Sequence, residues 1–210
     1  MLGSPNPLPD VRRTACSRTR SSGFTLIELL TVIAIIAILS AITFGIIKGV
    51  NENSARAQAQ AELSSLSVAL EAYKRQYGDY PQTGSGTVTP TSTATSSSVQ
   101  GLLFNALMGK VGPKLDPIDS KVFVDPGKLS LQSDNLPTRG NTTAVANAFV
   151  DPWGRLYTYC YRAKGDTTVW ENPSYVLYST GPDGKETKPG NDGKVDIKDA
   201  NNLDNLYANQ

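Results

Sequence analysis

From Leu29 to Ile47 the chain carries no charged residue, and the run is bracketed by Glu28 and Lys48. An apolar stretch of this length rises far enough as a helix, at about 1.5 Å per residue, to cover a hydrocarbon core roughly 30 Å thick. The sequence therefore predicts a transmembrane helix over 24–50. Glu28 is out of place there, because a carboxylate near the middle of such a helix costs ~2.5 kcal/mol or more. A carboxylate snorkelling to the interface is the simpler reading; a carboxylate kept for a partner is the other.

What precedes the run is basic. Met1 to Gly23 holds Arg12, Arg13, Arg18 and Arg20 against the single acid Asp10, among many Ser, Thr and Pro residues. No small-residue cleavage site follows Ile47, where Lys48-Gly49-Val50-Asn51 leads into further helix, so the apolar segment is expected to be retained.

Beyond the apolar run, Leu63, Leu66, Leu70, Tyr73 and Tyr77 recur at three- and four-residue spacing, with Arg56, Gln60, Glu62, Glu71 and Lys74 distributed around them. This predicts an amphipathic stalk helix within 51–82, stopped by Gly78 and Pro81. Gly45 and Gly49 are expected either as soft points or as packing notches. A Gly/Ser/Thr-rich segment over 83–98 reads as a surface loop. Val99 to Met108 reads as a short helix, and the rest of 99–149 as irregular with one short strand possible at Val122-Phe123-Val124. In 150–210, Leu156–Tyr161 and Tyr175–Tyr178 read as an antiparallel pair with one face on the amphipathic helix.

Composition narrows the function classes. The chain has no histidine, and its two cysteines are Cys16, in the basic segment, and Cys160. No Ser-Lys or paired-carboxylate constellation is discernible, which speaks against an enzyme. The formal charge is +1. Bulk electrostatics of this size gives no reason to expect a nucleic-acid partner. The loop after the second strand concentrates Asp183, Asn191, Asp192, Asp196 and Asp199 among glycines. Hard oxygen ligands on a flexible loop suit Ca²⁺, although Lys188 and Gly190 stand where an EF-hand-type loop would place its first ligands; a solvated acidic turn is the alternative.

The string Gly23-Phe24-Thr25-Leu26-Ile27-Glu28-Leu29-Leu30 closely resembles the leader motif of type IV pilins and type II secretion pseudopilins. Asp151-Pro152-Trp153-Gly154, Ser174 to Ser179 and Gly181-Pro182-Asp183-Gly184-Lys185 resemble segments of the major pseudopilins of type II secretion. The resemblance implies an α+β, type IV pilin-like fold: a long N-terminal transmembrane and amphipathic helix packed on a small C-terminal antiparallel sheet with a calcium loop. It implies that a prepilin peptidase removes residues 1–23 after Gly23 and methylates the amine of Phe24, and that Phe24 and Glu28 serve assembly. Removal of the leader, with four arginines and one aspartate, would take the charge from +1 to −2 and leave Cys160 with no intramolecular partner.

The expected function is a structural, non-enzymatic subunit of a secretion pseudopilus. Its expected setting is the inner membrane, as a single-pass protein with its C-terminal domain in the periplasm. The implied partners are other copies in a homo-oligomeric filament, the prepilin peptidase, an inner-membrane assembly platform with minor pseudopilins, and membrane lipid. A pilus subunit for adhesion or DNA uptake, and a membrane-tethered enzyme or binding domain, are the alternatives.

Overall fold

The computed structural model describes residues 23–83, 93–162, 170–190 and 192–208, with the side chains of 42–50 outside that set. Almost all of the basic leader, most of the Gly/Ser/Thr-rich segment, and Asn191 therefore lie outside the described residues. The chain divides into two compact units, Met1–Ile46 and Ile47–Gln210.

Helix α1 spans Leu26–Tyr77. In its second half Ala59, Glu62, Leu63, Leu66, Ala69, Leu70 and Tyr73 are buried. They follow the 3.6-residue period, so one stripe enters the core while Gln60, Ser64, Val68 and Glu71 stay in solvent. The helix ends where expected: Gly78 adopts φ +81° and its amide bonds the Lys74 carbonyl at 2.7 Å. A side chain there would be strained, which is why helices so often stop at glycine.

Helix α2 spans Val99–Leu107 and is capped by Ser98, whose hydroxyl accepts the Gly101 amide at 3.2 Å. Three antiparallel strands follow in the order β1 (Thr158–Cys160), β2 (Val176–Ser179) and β3 (Leu206–Tyr207). Tyr159 faces Leu177 across β1 and β2, and Tyr178 faces Tyr207 across β2 and β3. One sheet face sends Tyr157, Tyr159, Tyr175 and Leu177 into the core shared with α1 and α2. The opposite face carries Cys160, Val176 and Tyr178 under Val195, Tyr207 and Trp170, so the C-terminal loop covers it. Burial pushes the Cys160 thiol up to about 12, which leaves it inert at neutral pH.

Two expectations change. Val122–Val124 is not a strand; the Phe123 amide bonds the Leu107 carbonyl at 2.8 Å and its ring packs on Tyr73 and Tyr77. The pair of strands also gains β3, which at two residues is too short to leave a periodic signature.

Tyrosine hydroxyls tie the elements together. Tyr73 donates to the Val111 carbonyl at 2.8 Å, Tyr159 to the Pro81 carbonyl at 2.7 Å, and Tyr157 to Glu62 on α1 at 2.7 Å. Each gives a buried aromatic body a satisfied polar tip. At the exit of α1, Asp79 accepts the Tyr80 amide, the Tyr161 hydroxyl and the Arg162 guanidinium. Burial alone would raise the Asp79 carboxyl, but these bonds together hold it below the ordinary carboxylate range. A lowered folded-state pKa stabilises the protein above the unfolded pKa, and that contribution is lost as pH falls through the folded value. The stability gap between wild type and Asp79→Asn, read from urea midpoints, should therefore shrink below about pH 4. A gap unchanged down to pH 2 would contradict the ion pair's role.

Candidate processing site and acidic loop

At the start of α1, Thr25 and Glu28 close a capping box. The Thr25 hydroxyl accepts the Glu28 amide at 3.3 Å, while Glu28 Oε2 accepts both the Thr25 amide and its hydroxyl at 2.8 Å. The reciprocal bonds satisfy donors that a helix start otherwise leaves open. The signal was present in the sequence as Thr-x-x-Glu at 25–28. Gly23 and Phe24 precede the helix and are exposed; Phe24 is 85% exposed. The apolar side chains from Leu26 to Leu39 are likewise exposed on the single chain. Among the described residues no helix is long and apolar enough to cross a membrane. Part of the apolar run, the side chains of 42–50, lies outside the described residues.

The other candidate region is built on a buried turn. Asp151 Oδ1 accepts the Trp153 amide at 3.1 Å and the Arg155 amide at 2.8 Å, and Oδ2 accepts the Ser179 hydroxyl at 2.6 Å. The turn thereby presents Arg155 to the loop after β2, where its guanidinium donates to the carbonyls of Gly181 and Pro182. Gly184 lies against that guanidinium at φ +70°; a Cβ there would come within 2.3 Å of Arg155 Nε, so a side chain would be strained and would displace the guanidinium. The Asp-Pro-Trp-Gly string and the Gly-Pro-Asp-Gly string are thus two halves of one clasp.

Downstream, the sequence-predicted aspartates shape the loop locally. Asp183, Asp192, Asp196 and Asp199 each turn Oδ1 onto the amide two residues along, at 2.8 to 3.0 Å. The Lys194 amide, and secondarily its ammonium, holds the Asp192 carboxyl below the usual range. Among the described residues no three acidic side chains stand close enough together to hold a metal ion. The loop is stitched instead by Asn202, which accepts the Thr187 amide at 2.8 Å and donates to the carbonyls of Thr187 at 3.0 Å and Asp196 at 2.8 Å. Sequence reasoning passed over Asn202, Asp151 and Arg155 as site residues; for the last two the fixed spacing inside Asp-Pro-Trp-Gly-Arg was the available signal.

Residues 18–44 match the family described as Prokaryotic N-terminal methylation motif. The chain is 29% identical over 178 residues to the type II secretion system core protein G of Pseudomonas aeruginosa, covering 85% of this chain and 95% of that protein. It is 36% identical over 67 residues to the core protein G of Pectobacterium carotovorum, covering 32% of this chain and 43% of that protein. The corresponding figures for the core protein G of Aeromonas hydrophila are 35% over 69 residues, 33% and 48%. No solved structure matches the chain.

Proposed function

We infer that the chain is a pseudopilin, a structural subunit of a type II secretion pseudopilus related to the core protein G proteins. The observation that carries this reading is the methylation motif over 18–44 at the head of a chain that follows a core protein G along most of its length. The α-helix and three-stranded antiparallel sheet are consistent with it.

The finer steps are our proposals. The leader is removed after Gly23 and Phe24 becomes a methylated N-terminus. The apolar half of α1 anchors the subunit in the inner membrane, with the sheet domain on the periplasmic side. Its support is the exposed apolar surface from Phe24 to Leu39, which in water would be costly and in lipid or a helix bundle is not. In the filament Glu28 pairs with the Phe24 amine of a neighbour, because two charges withdrawn from water are tolerated only together. The partners are then copies of this chain, minor pseudopilins, the assembly platform, lipid and the prepilin peptidase, and no enzymatic role is assigned.

We also propose calcium for the loop after β2. The donor chemistry fits, since carboxylates and carbonyl oxygens are the hard ligands this ion selects, and the ion would staple a domain that has no disulfide.

Intact mass and N-terminal sequencing of protein taken from its native membrane test the reading. The expected chain begins at N-methylated Phe24. A chain still carrying residues 1–23 would overturn both processing and the assembly scheme.

A further inference from the structure

Asp183-Gly184 and Asp192-Gly193 are the two places in this chain where glycine follows aspartate. Glycine has no Cβ to keep its amide nitrogen away from the preceding side chain, so here an aspartate most readily closes on its own backbone. Both aspartates are set up alike. Each turns Oδ1 onto the amide two residues along, Asp183 onto Lys185 at 2.8 Å and Asp192 onto Lys194 at 3.0 Å. Such a turn folds the carboxyl carbon over the intervening peptide, which carries the glycine nitrogen.

The two nitrogens differ. Gly193 is buried, and its amide donates to the Gly190 carbonyl at 2.9 Å. A Cβ on Gly193 would come within 2.7 Å of the Trp170 ring, which leaves no space for a new ring to grow there. Lys194 also restrains the Asp192 carboxylate, Nζ to Oδ2 at 3.5 Å. Gly184 is half-buried beside the exposed Asp183, and its amide makes no hydrogen bond among the described residues. The Arg155 guanidinium lies against Gly184. Its charge favours the negative charge that develops on the attacking nitrogen and the carboxyl oxygens as the ring closes.

We propose that Asp183 is a site of spontaneous aspartate isomerisation, selected by the unbonded amide of Gly184, and that the engaged amide of Gly193 protects Asp192 from the same reaction. The Gly184 nitrogen bonds to Asp183 Cγ; the amide proton and a carboxyl hydroxyl leave together as water, and a cyclic imide remains. Water then adds back to one of its two carbonyls. Breaking the bond from nitrogen to Cγ restores aspartate. Breaking the bond from nitrogen to the main-chain carbonyl carbon leaves the chain running through Cβ and Cγ, as isoaspartate. Neither oxidant nor cofactor takes part, and the mass returns to its starting value. The extra main-chain carbon displaces Gly184 from the guanidinium and loosens the hold of Arg155 on the carbonyls of Gly181 and Pro182.

The test incubates the full chain in detergent at neutral pH, below its melting temperature, beside the same chain held unfolded in guanidinium chloride. Peptide mapping with electron-transfer fragmentation locates the isoaspartate. Unfolded, both Asp-Gly pairs should convert. Folded, isoaspartate should accumulate at 183 and stay at background at 192. The aged chain should also melt below the fresh one. Asp183→Glu, whose longer side chain closes such a ring far more slowly, should lose both the signal at 183 and the fall in melting temperature. Conversion at 183 in the unfolded but not the folded chain would show that the fold protects this pair, and the proposal fails. Equal conversion at 183 and 192 in the folded chain also overturns it, because the Gly193 hydrogen bond would then protect nothing.

Discussion

A Glu28→Gln chain should be inserted and cleaved normally and yet fail to build filaments. Glutamine retains a side-chain oxygen for the Thr25 amide, so the capping box that starts α1 survives the change. What is lost is the negative charge. A neighbour's α-amine brought into the helix bundle then has nothing to neutralise it, and an uncompensated buried charge costs on the order of 3–5 kcal/mol. At about 1.4 kcal/mol per factor of ten, assembly should fall by two orders of magnitude or more. Filament yield by sedimentation after overexpression measures this, with circular dichroism on detergent-solubilised subunit as the control for helix content. Filaments at wild-type yield would mean that the box, and not the charge, is what assembly needs.

The second large effect is expected at Asp151. The residue is 2% exposed, and its carboxylate receives two amides from the turn it caps and a hydroxyl from Ser179 at the end of β2. Asp151→Ala leaves all three donors buried without an acceptor and frees Arg155 from the turn that aims it. The expected loss is about 3–5 kcal/mol, since hydrogen bonds to a charged group contribute ~1.5–3 kcal/mol each and are not additive. For a domain of this size that corresponds to a fall in Tm of roughly 10 °C or more. Asp151→Asn should recover most of it, because one amide oxygen still serves both backbone donors. A differential scanning experiment in which the alanine variant melts within 2 °C of wild type, on the scale of about 3 °C per kcal/mol, would sink this account.

How far these features could be read from the sequence differs by element, for physical reasons. The amphipathic part of α1 was legible because burial enforces a 3.6-residue period and a glycine marks its end. β1 and β2 were legible because Tyr, Val and Leu cluster there, and one face of the pair was expected against α1, though which residues form it was not read. Glu62 was not: it lies three residues after Ala59 and four before Leu66, inside the buried stripe, but a carboxylate normally marks the solvent side. The distant Tyr157, 95 residues on, and Gln58, one turn before it, satisfy its two oxygens and make it tolerable in the core. Asn202 was hidden for the same reason, since an asparagine in an acidic loop looks like solvent chemistry until its partners are known. Phe123 shows the converse error: a β-branched and aromatic triplet resembles a strand, while the aromatic ring between Tyr73 and Tyr77 decides its conformation.

Much of the chain between α2 and β1 is held by side-chain amides rather than by ladders. Asn105 bridges the Gly101 carbonyl and both backbone groups of Val145, and Asn147 bonds the Ser133 amide and the carbonyls of Ser133 and Asn135. A strand pairs residue by residue, so inserting one residue shifts every side chain after it to the wrong face. An amide clamp fixes only its two ends. Residues can be gained or lost between the clamps without disturbing the sheet or α1, at a closure cost that grows only with the logarithm of length. The segment between α2 and β1 is in that sense free to change in length while the sheet and α1 keep their packing.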